Sequence, residues 1–241
     1  MREISSAQEA FLATKLREID ERFDGLKEIE DEDHREYYAD LWLQEENRYS
    51  TTWAAIARRS LFLAVCSSFE LHLIHLANSY AADCQSPFRV RDLADSGIRG
   101  CKLLFVKLWV DDPASESAAF GTEWETVTTL YEVRNRIAHS GGKVDKGLAT
   151  KMGSLSQVFD LSKIKKARDE EDKEVTLLGQ QKREAKDPKK REELTRRIDF
   201  LRRVYASHQV EFAPGGISAV CEIFAATVRR INGQLYSSPT I

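Results

Sequence analysis

The segment from Thr51 to Ala82 constrains this chain more than any other part of it. It carries Trp53, Ile56, Leu61, Phe62, Leu63, Val65, Phe69, Leu71, Leu73, Ile74 and Leu76, and contains neither proline nor glycine. Between Leu61 and Ala77 the apolar positions go most of the way round a helical wheel. A helix apolar on nearly all sides predicts a central, buried element with amphipathic helices gathered against it.

The rest of the chain keeps the same period. Leu12, Leu16, Ile19, Phe23 and Leu26 are spaced 4, 3, 4, 3, which predicts an amphipathic arm packing on its own domain. The run Glu30-Asp31-Glu32-Asp33 opens a second helical stretch, with Asp33 as its N-cap and Tyr38, Leu41, Trp42 and Tyr49 along it. Residues 90–110 read as a helix interrupted near Gly97 and Gly100, with Ile98, Cys101, Leu104, Phe105 and Leu108 as its apolar face. Asp111-Asp112-Pro113 and the small residues after it predict a loop. A helix from Glu123 to His139 follows, with Trp124, Val127, Leu130, Tyr131 and Ile137 as core candidates, and Ser140-Gly141-Gly142 stops it. Asp187-Pro188 pairs an N-cap with a first helical position and divides 163–203 into a charged helical hairpin or a partly disordered insertion. Leu194, Ile198, Leu201 and Tyr205 give its second half helical spacing. Beyond Pro214-Gly215-Gly216, Ile217, Val220, Phe224, Val228, Ile231 and Leu235 form a last stripe.

Five prolines and 12 glycines in 241 residues are too few for an architecture rich in strands and turns. The expected fold is all-α. Its expected segments are an N-terminal helical arm (1–49), a core (50–162), a charged insertion (163–204) and a closing helix and tail (205–241). The longest strongly apolar run, Leu61 to Cys66, is far shorter than the roughly 18 residues that suggest a membrane span. MREISSAQEA lacks the pattern of a signal peptide. The reading is a cytoplasmic protein without a membrane partner, whose scattered Cys66, Cys84, Cys101 and Cys221 are reduced thiols.

The net charge of −3 argues against a general nucleic-acid coat, but it is unevenly spread. Residues 163–203 hold 15 Lys/Arg against 10 Asp/Glu, a local +5 on a body of −8. That asymmetry makes the insertion a candidate RNA-backbone or partner contact.

Common catalytic signatures are missing: there is no glycine-rich phosphate loop, GxSxG elbow or HExxH pair. His72 and His75 are three apart, a spacing that can place them on one face, but with no ExxH pattern or cysteine cluster they read as structural histidines. Glu70, in SSFELHLIHL, sits deep in an apolar helix and must be paired, protonated or at a cleft. The strongest constellation is Tyr131-Glu132-Val133-Arg134-Asn135-Arg136-Ile137-Ala138-His139-Ser140-Gly141-Gly142. Asn135 and His139 are four apart, so they lie nearly on one helix face. Arginine offers a permanent charged fork suited to phosphate. Cation, imidazole and amide together suit phosphodiester cleavage without a metal. The structural alternative pairs Arg134 with Glu70 and leaves His139 to cap the helix.

RNRIAHSGG, following Trp124 and Leu130, resembles the Rx4-6H motif of the HEPN superfamily, with Asn135 as the polar residue after the arginine. The SSFE helix before it, GIRGCKLL between them and a closing amphipathic helix are similar too, so the resemblance spans roughly 50–160 and 205–236. It implies a HEPN-like helical bundle that dimerises with two motifs facing one cleft. Many members are metal-independent ribonucleases in toxin–antitoxin, phage-defence or RNA-processing systems, and some are inactive scaffolds. The implied function is a homodimeric endoribonuclease, a toxin or phage-defence effector, needing no cofactor and no metal. Its partners would be RNA and an antitoxin or defence-system protein. The implied catalytic residues are Arg134, Asn135 and His139, with Glu70 beside them. Arg136, Lys143, Lys189, Lys190 and Arg191 are the RNA-binding candidates. The alternative is a catalytically silent HEPN protein that binds RNA or a nucleotide, or serves as an interaction scaffold. One departure from the family matters. In a subgroup, a tyrosine two residues after the histidine is modified by a nucleotidyltransferase, but here that position is Gly141.

Overall fold

The computed structural model describes residues 2–109, 113–205, 210–213 and 215–237, a few side chains within those spans excepted. Among them the chain is all-α, as its periodicity predicts. The helices are α1 (Arg2–Gly25), α2 (Glu32–Asn47), α3 (Ala54–Asp83), α4 (Gly97–Leu108), α5 (Pro113–Ala119), α6 (Thr122–Ser140), α7 (Lys146–Met152), α8 (Ser162–Glu184), α9 (Pro188–Tyr205) and α10 (Gly216–Ser237). An isolated antiparallel bridge joins Phe159 to Phe212.

The helices divide into two compact units, Met1–Leu108 with Ile217–Val228 and Trp109–Gly216 with Arg229–Ile241. These cut across the four expected segments. The arm falls in the same unit as α3 and α4, and the charged hairpin α8–α9 falls in the same unit as α6.

In the first unit, the expected apolar stripe of α1 faces inward: Ile19 is buried and Leu12, Leu16 and Phe23 are half-buried. Phe23 meets Trp42 of α2 edge to face at 5.9 Å, and Arg22 pairs with Glu45 at 3.0 Å. The N-cap of α2 is Asp31, whose carboxylate accepts from the His34 amide at 3.2 Å, so Asp33 is the second helical residue and not the cap. A wider π-type turn at Arg48–Trp53 joins α2 to α3, making one continuous helix from 32 to 83. By length and composition alone this helix is long and apolar enough to cross a membrane, a test that the core helix of a soluble protein also passes. The six-residue run read from the sequence understates it, because the apolar positions continue around Glu70.

The expectation that α3 is buried on all sides fails. Leu61, Phe62, Val65, Cys66, Phe69, Leu73, Ala77 and Ala81 are buried, at the spacing of a single helix face. Ala64, Ser68, Leu71, His72 and His75 on the other face are exposed, Leu71 at 65%. His72 and His75 are therefore surface histidines and pack no core. Phe69 stacks on Phe224 of α10 at 4.1 Å, and Tyr80 lies against Phe105 of α4 at 6.1 Å. The expected interruption near Gly97 proves to be the start of α4, preceded by a short 3-10 turn at Val90–Asp92.

The second unit is built on α6, where Trp124, Val127, Leu130, Tyr131, Val133 and Ile137 are buried. Phe120 meets Trp124 edge to face at 4.8 Å. Arg230 of α10 grips the Glu123 carboxylate with both terminal nitrogens, which holds that carboxyl below its usual range. The small residues after Pro113, expected as loop, form α5, with proline at the first helical position. Asp111 and Asp112 lie outside the described residues. The hairpin α8–α9 has a small core of its own, Leu178, Ala185, Leu194 and Ile198 with Val175 against it. The side chains of Leu201 and Tyr205 lie outside the description.

Gly97 begins α4 at φ +60, and a Cβ there would collide with the Glu70 carboxylate of α3. Gly97→Ala should therefore lose about 1–3 kcal/mol in denaturant unfolding, from backbone strain plus the collision. Adding Glu70→Ala should recover part of that loss. Equal stability of the single and double variants would mean that backbone conformation alone demands glycine.

Candidate functional site

The motif occupies the last turns of α6, and the way that helix ends shapes its surroundings. The Arg136 carbonyl accepts from Ser140 Oγ at 2.9 Å, from the Gly142 amide at 2.9 Å and from the Gly141 amide. Gly141 and Gly142 both have positive φ, +63 and +82, which residues with side chains rarely adopt. The chain reverses there, and the Gly142 carbonyl accepts from the Val210 amide at 2.9 Å. Asp145 then caps α7 by accepting from the Leu148 amide at 2.9 Å.

Between the end of α6 and α7 lies a groove of about 580 Å³. It is lined by Glu132, Asn135, Arg136, His139, Ser140, Asp145, Gly147, Leu148 and Lys151. Asn135 and His139 line it together, as their four-residue spacing predicts. His139 is exposed and has no hydrogen-bond or ionic partner among the described residues. It therefore does not cap the helix.

Arg134 is placed differently. At about 100° per residue it falls in the sector of α6 that holds Leu130, Tyr131 and Ile137, and it does not line the groove. Its stem is drawn toward the buried side, which explains why Nε is buried without a hydrogen-bond partner. Its Nη1 reaches back to Asn135 Oδ1 at 3.0 Å. The groove thus contacts this arginine through an amide, and Arg134 has no carboxylate partner among the described residues.

The groove's own charges are balanced. Lys151 Nζ donates to both Glu132 oxygens, at 2.7 and 2.8 Å, and Arg136 pairs with Asp145. The Asp145 carboxyl is held below its usual range, first by the Leu148 amide and also by Arg136. Of the expected RNA contacts, Arg136 is thus already neutralised, whereas Lys143 is exposed and has no carboxylate partner among the described residues. Lys189, Lys190 and Arg191 sit on the hairpin and do not line the groove.

Glu70 belongs to the other unit and is half-buried, less enclosed than its apolar neighbours suggest. It lies beside Gly97 and Cys101, and burial together with the Glu70 charge pushes the Cys101 thiol up to about 12. Among the described residues, no three His, Cys, Asp or Glu side chains group as a metal site requires.

Sequence reasoning missed Glu132, Asp145 and Lys151. Asp145, followed three residues later by Leu148, carried a readable N-cap signal. The Glu132–Lys151 pair joins α6 to α7 across 19 positions and had none.

Because the Asp145 carboxyl is depressed, its stabilising contribution is present above the unfolded pKa and fades as pH falls through the folded one. Asp145→Ala should cost about 1 kcal/mol at neutral pH through the lost cap. The stabilities of variant and wild type should converge in acid, below the ordinary aspartate range. A constant difference across that range would remove the carboxylate charge as the cause.

Comparison with known proteins found no matching family model, no matching curated protein and no matching solved structure.

Proposed function

We propose that this chain is a HEPN-type endoribonuclease that acts as a homodimer without a metal, as a cytoplasmic toxin or phage-defence effector. The observation that carries this reading is the end of α6, where an exposed imidazole with no partner among the described residues shares a groove with Asn135. Arg134, with no carboxylate partner among the described residues, is tied to that amide at 3.0 Å.

The reaction is attack of an RNA 2′-OH on the adjacent phosphorus. One His139 takes the hydroxyl proton, and the P–O5′ bond breaks as the other His139 delivers a proton to the leaving oxygen. The product ends are a 2′,3′-cyclic phosphate and a free 5′-hydroxyl. Arg134 stabilises charge on the phosphoryl oxygens, and Asn135 holds the guanidinium in place. A single chain supplies one imidazole to its groove, so a base and an acid on opposite sides of the phosphate require the two-fold copy. An antitoxin or defence-system protein would restrain or trigger the activity.

The charge balance of the groove favours a second reading, a silent HEPN scaffold that binds RNA, a nucleotide or a protein. Both cations facing the cavity are spent on Asp145 and Glu132, leaving little net attraction for a phosphate.

Cleavage of total RNA in the presence of a chelator separates the two. The nuclease reading expects cyclic-phosphate ends and a loss of about 10²–10⁴ in rate for His139→Ala. Arg134→Ala should lose about 10²–10³. Absence of cleavage across a broad RNA panel selects the scaffold.

The shared centre has its own test, a mixed dimer of wild-type and His139→Ala chains isolated with two different tags. It should lose nearly all activity. A hybrid with half the wild-type rate would mean that each chain works alone.

A further inference from the structure

Several cations described in the second unit are held in ion pairs. Arg136 meets Asp145, Lys151 meets Glu132, Arg230 meets Glu123, Arg196 meets Glu192 at 2.6 Å and Arg197 meets Glu174 at 3.6 Å. At the chain reversal between α8 and α9 the cations outnumber the carboxylates. Residues 182–191 hold six Lys/Arg against two carboxylates, Glu184 and Asp187. Arg183, Lys186, Lys189 and Lys190 are exposed, Lys182 is half-buried, and none of the five has a carboxylate partner among the described residues. Asp187 spends one carboxylate oxygen on the Lys189 amide, at 2.9 Å.

Local stability accounts for only part of this cluster. Lys182 and Arg183 lie in the last turn of α8, where cations complement the helix dipole. Lys189 and Lys190 lie in the first turn of α9, where the dipole disfavours cations, and the nearby Asp187 carboxylate is engaged with the Lys189 amide. The turn that bears them is already ordered. Arg191 Nε donates to the Ala185 carbonyl at 2.6 Å, and Ala185 is buried in the hairpin's own core with Leu194. An anion arriving there meets a backbone turn already in place, so only the exposed side chains need ordering.

We infer that the α8–α9 turn is a sequence-independent anchor for the phosphodiester backbone of a nucleic acid. The inference deepens the proposed function and rests on it for the choice of RNA as the polymer. A phosphate backbone needs only spaced, unpaired cations. A protein partner would need apolar anchors and a bilayer an apolar face. The turn offers neither. Its apolar stripe is consumed inside the hairpin, and of the exposed apolar side chains Leu177 lies five positions before Lys182 on α8 and Phe200 nine positions beyond Arg191 on α9. The groove, whose cations are neutralised, would do the chemistry while the hairpin holds the strand.

The test measures binding alone, in full-length His139→Ala protein, by anisotropy of a short labelled RNA and of DNA of the same sequence over a series of salt concentrations. Lys186→Gln, Lys189→Gln and Lys190→Gln, combined, should weaken binding of both polymers at low salt. They should also make the log–log salt slope shallower by about two, since each lost single-strand phosphate contact removes about 0.7. Lys189→Arg with Lys190→Arg should keep the wild-type slope, and circular dichroism should show unchanged helix content in both variants. An unchanged slope in the glutamine variant overturns the anchor. So does a variant that keeps its RNA slope but loses binding to phosphatidylserine vesicles, or loses self-association or capture of an acidic peptide. Because cleavage is not the readout, a chain that cuts no RNA yet loses its slope in the variant would sink the nuclease reading and leave the anchor standing.

Discussion

Helices of this chain are held by burial of one stripe each, and everything else follows from which stripe goes inside. An isolated helix of ordinary composition is marginal in water, so tertiary packing decides. Fully burying a Leu or Phe contributes about 1.5–3 kcal/mol, against about 1–2 kcal/mol for ordering the backbone of each residue. In the first unit, α3 commits Leu61, Phe62, Val65, Phe69 and Leu73 to the interior and leaves Leu71, His72 and His75 in water. In the second, α6 commits Trp124, Val127, Leu130, Tyr131 and Ile137. That choice turns Asn135 and His139 outward and draws Arg134 partly inward.

The end of α6 adds a second constraint. Two successive glycines at positive φ let the chain turn sharply, and the Arg136 carbonyl gathers the nearby donors. The turn brings Asp145 back to the Arg136 guanidinium and lets the same carboxylate cap α7. One aspartate therefore starts a helix, neutralises a cation and forms a wall of the groove. The result is a cavity with an available imidazole and little net charge of its own.

Charge is partitioned within the second unit. Near the groove, opposite charges meet and cancel. At the hairpin reversal they do not, and two lysines sit where the helix dipole opposes them. A division between a reacting centre and a holding element fits that pattern. In such a protein, catalytic geometry and affinity for a polyanion are set by different residues and can be altered separately.

Much of the fold was legible in the residues themselves. The 3.6-residue period, the stop at Ser140-Gly141-Gly142, the start at Asp187-Pro188 and the stripes of α1, α6 and α10 depend on neighbours a few positions apart, and local sequence encodes those directly. The shared face of Asn135 and His139 is of the same kind. Other features depend on which segments meet. That α3 is wet on one face, that Glu70 lies against Gly97 and Cys101, and that Lys151 and Arg136 are neutralised all require partners distant in sequence. Arg134 belongs with these. Its place in the motif marks it as a cation, but only the packing of α6 sends its stem toward the core and leaves its guanidinium on Asn135. A helical period says which residues share a face, and tertiary contact decides what that face meets.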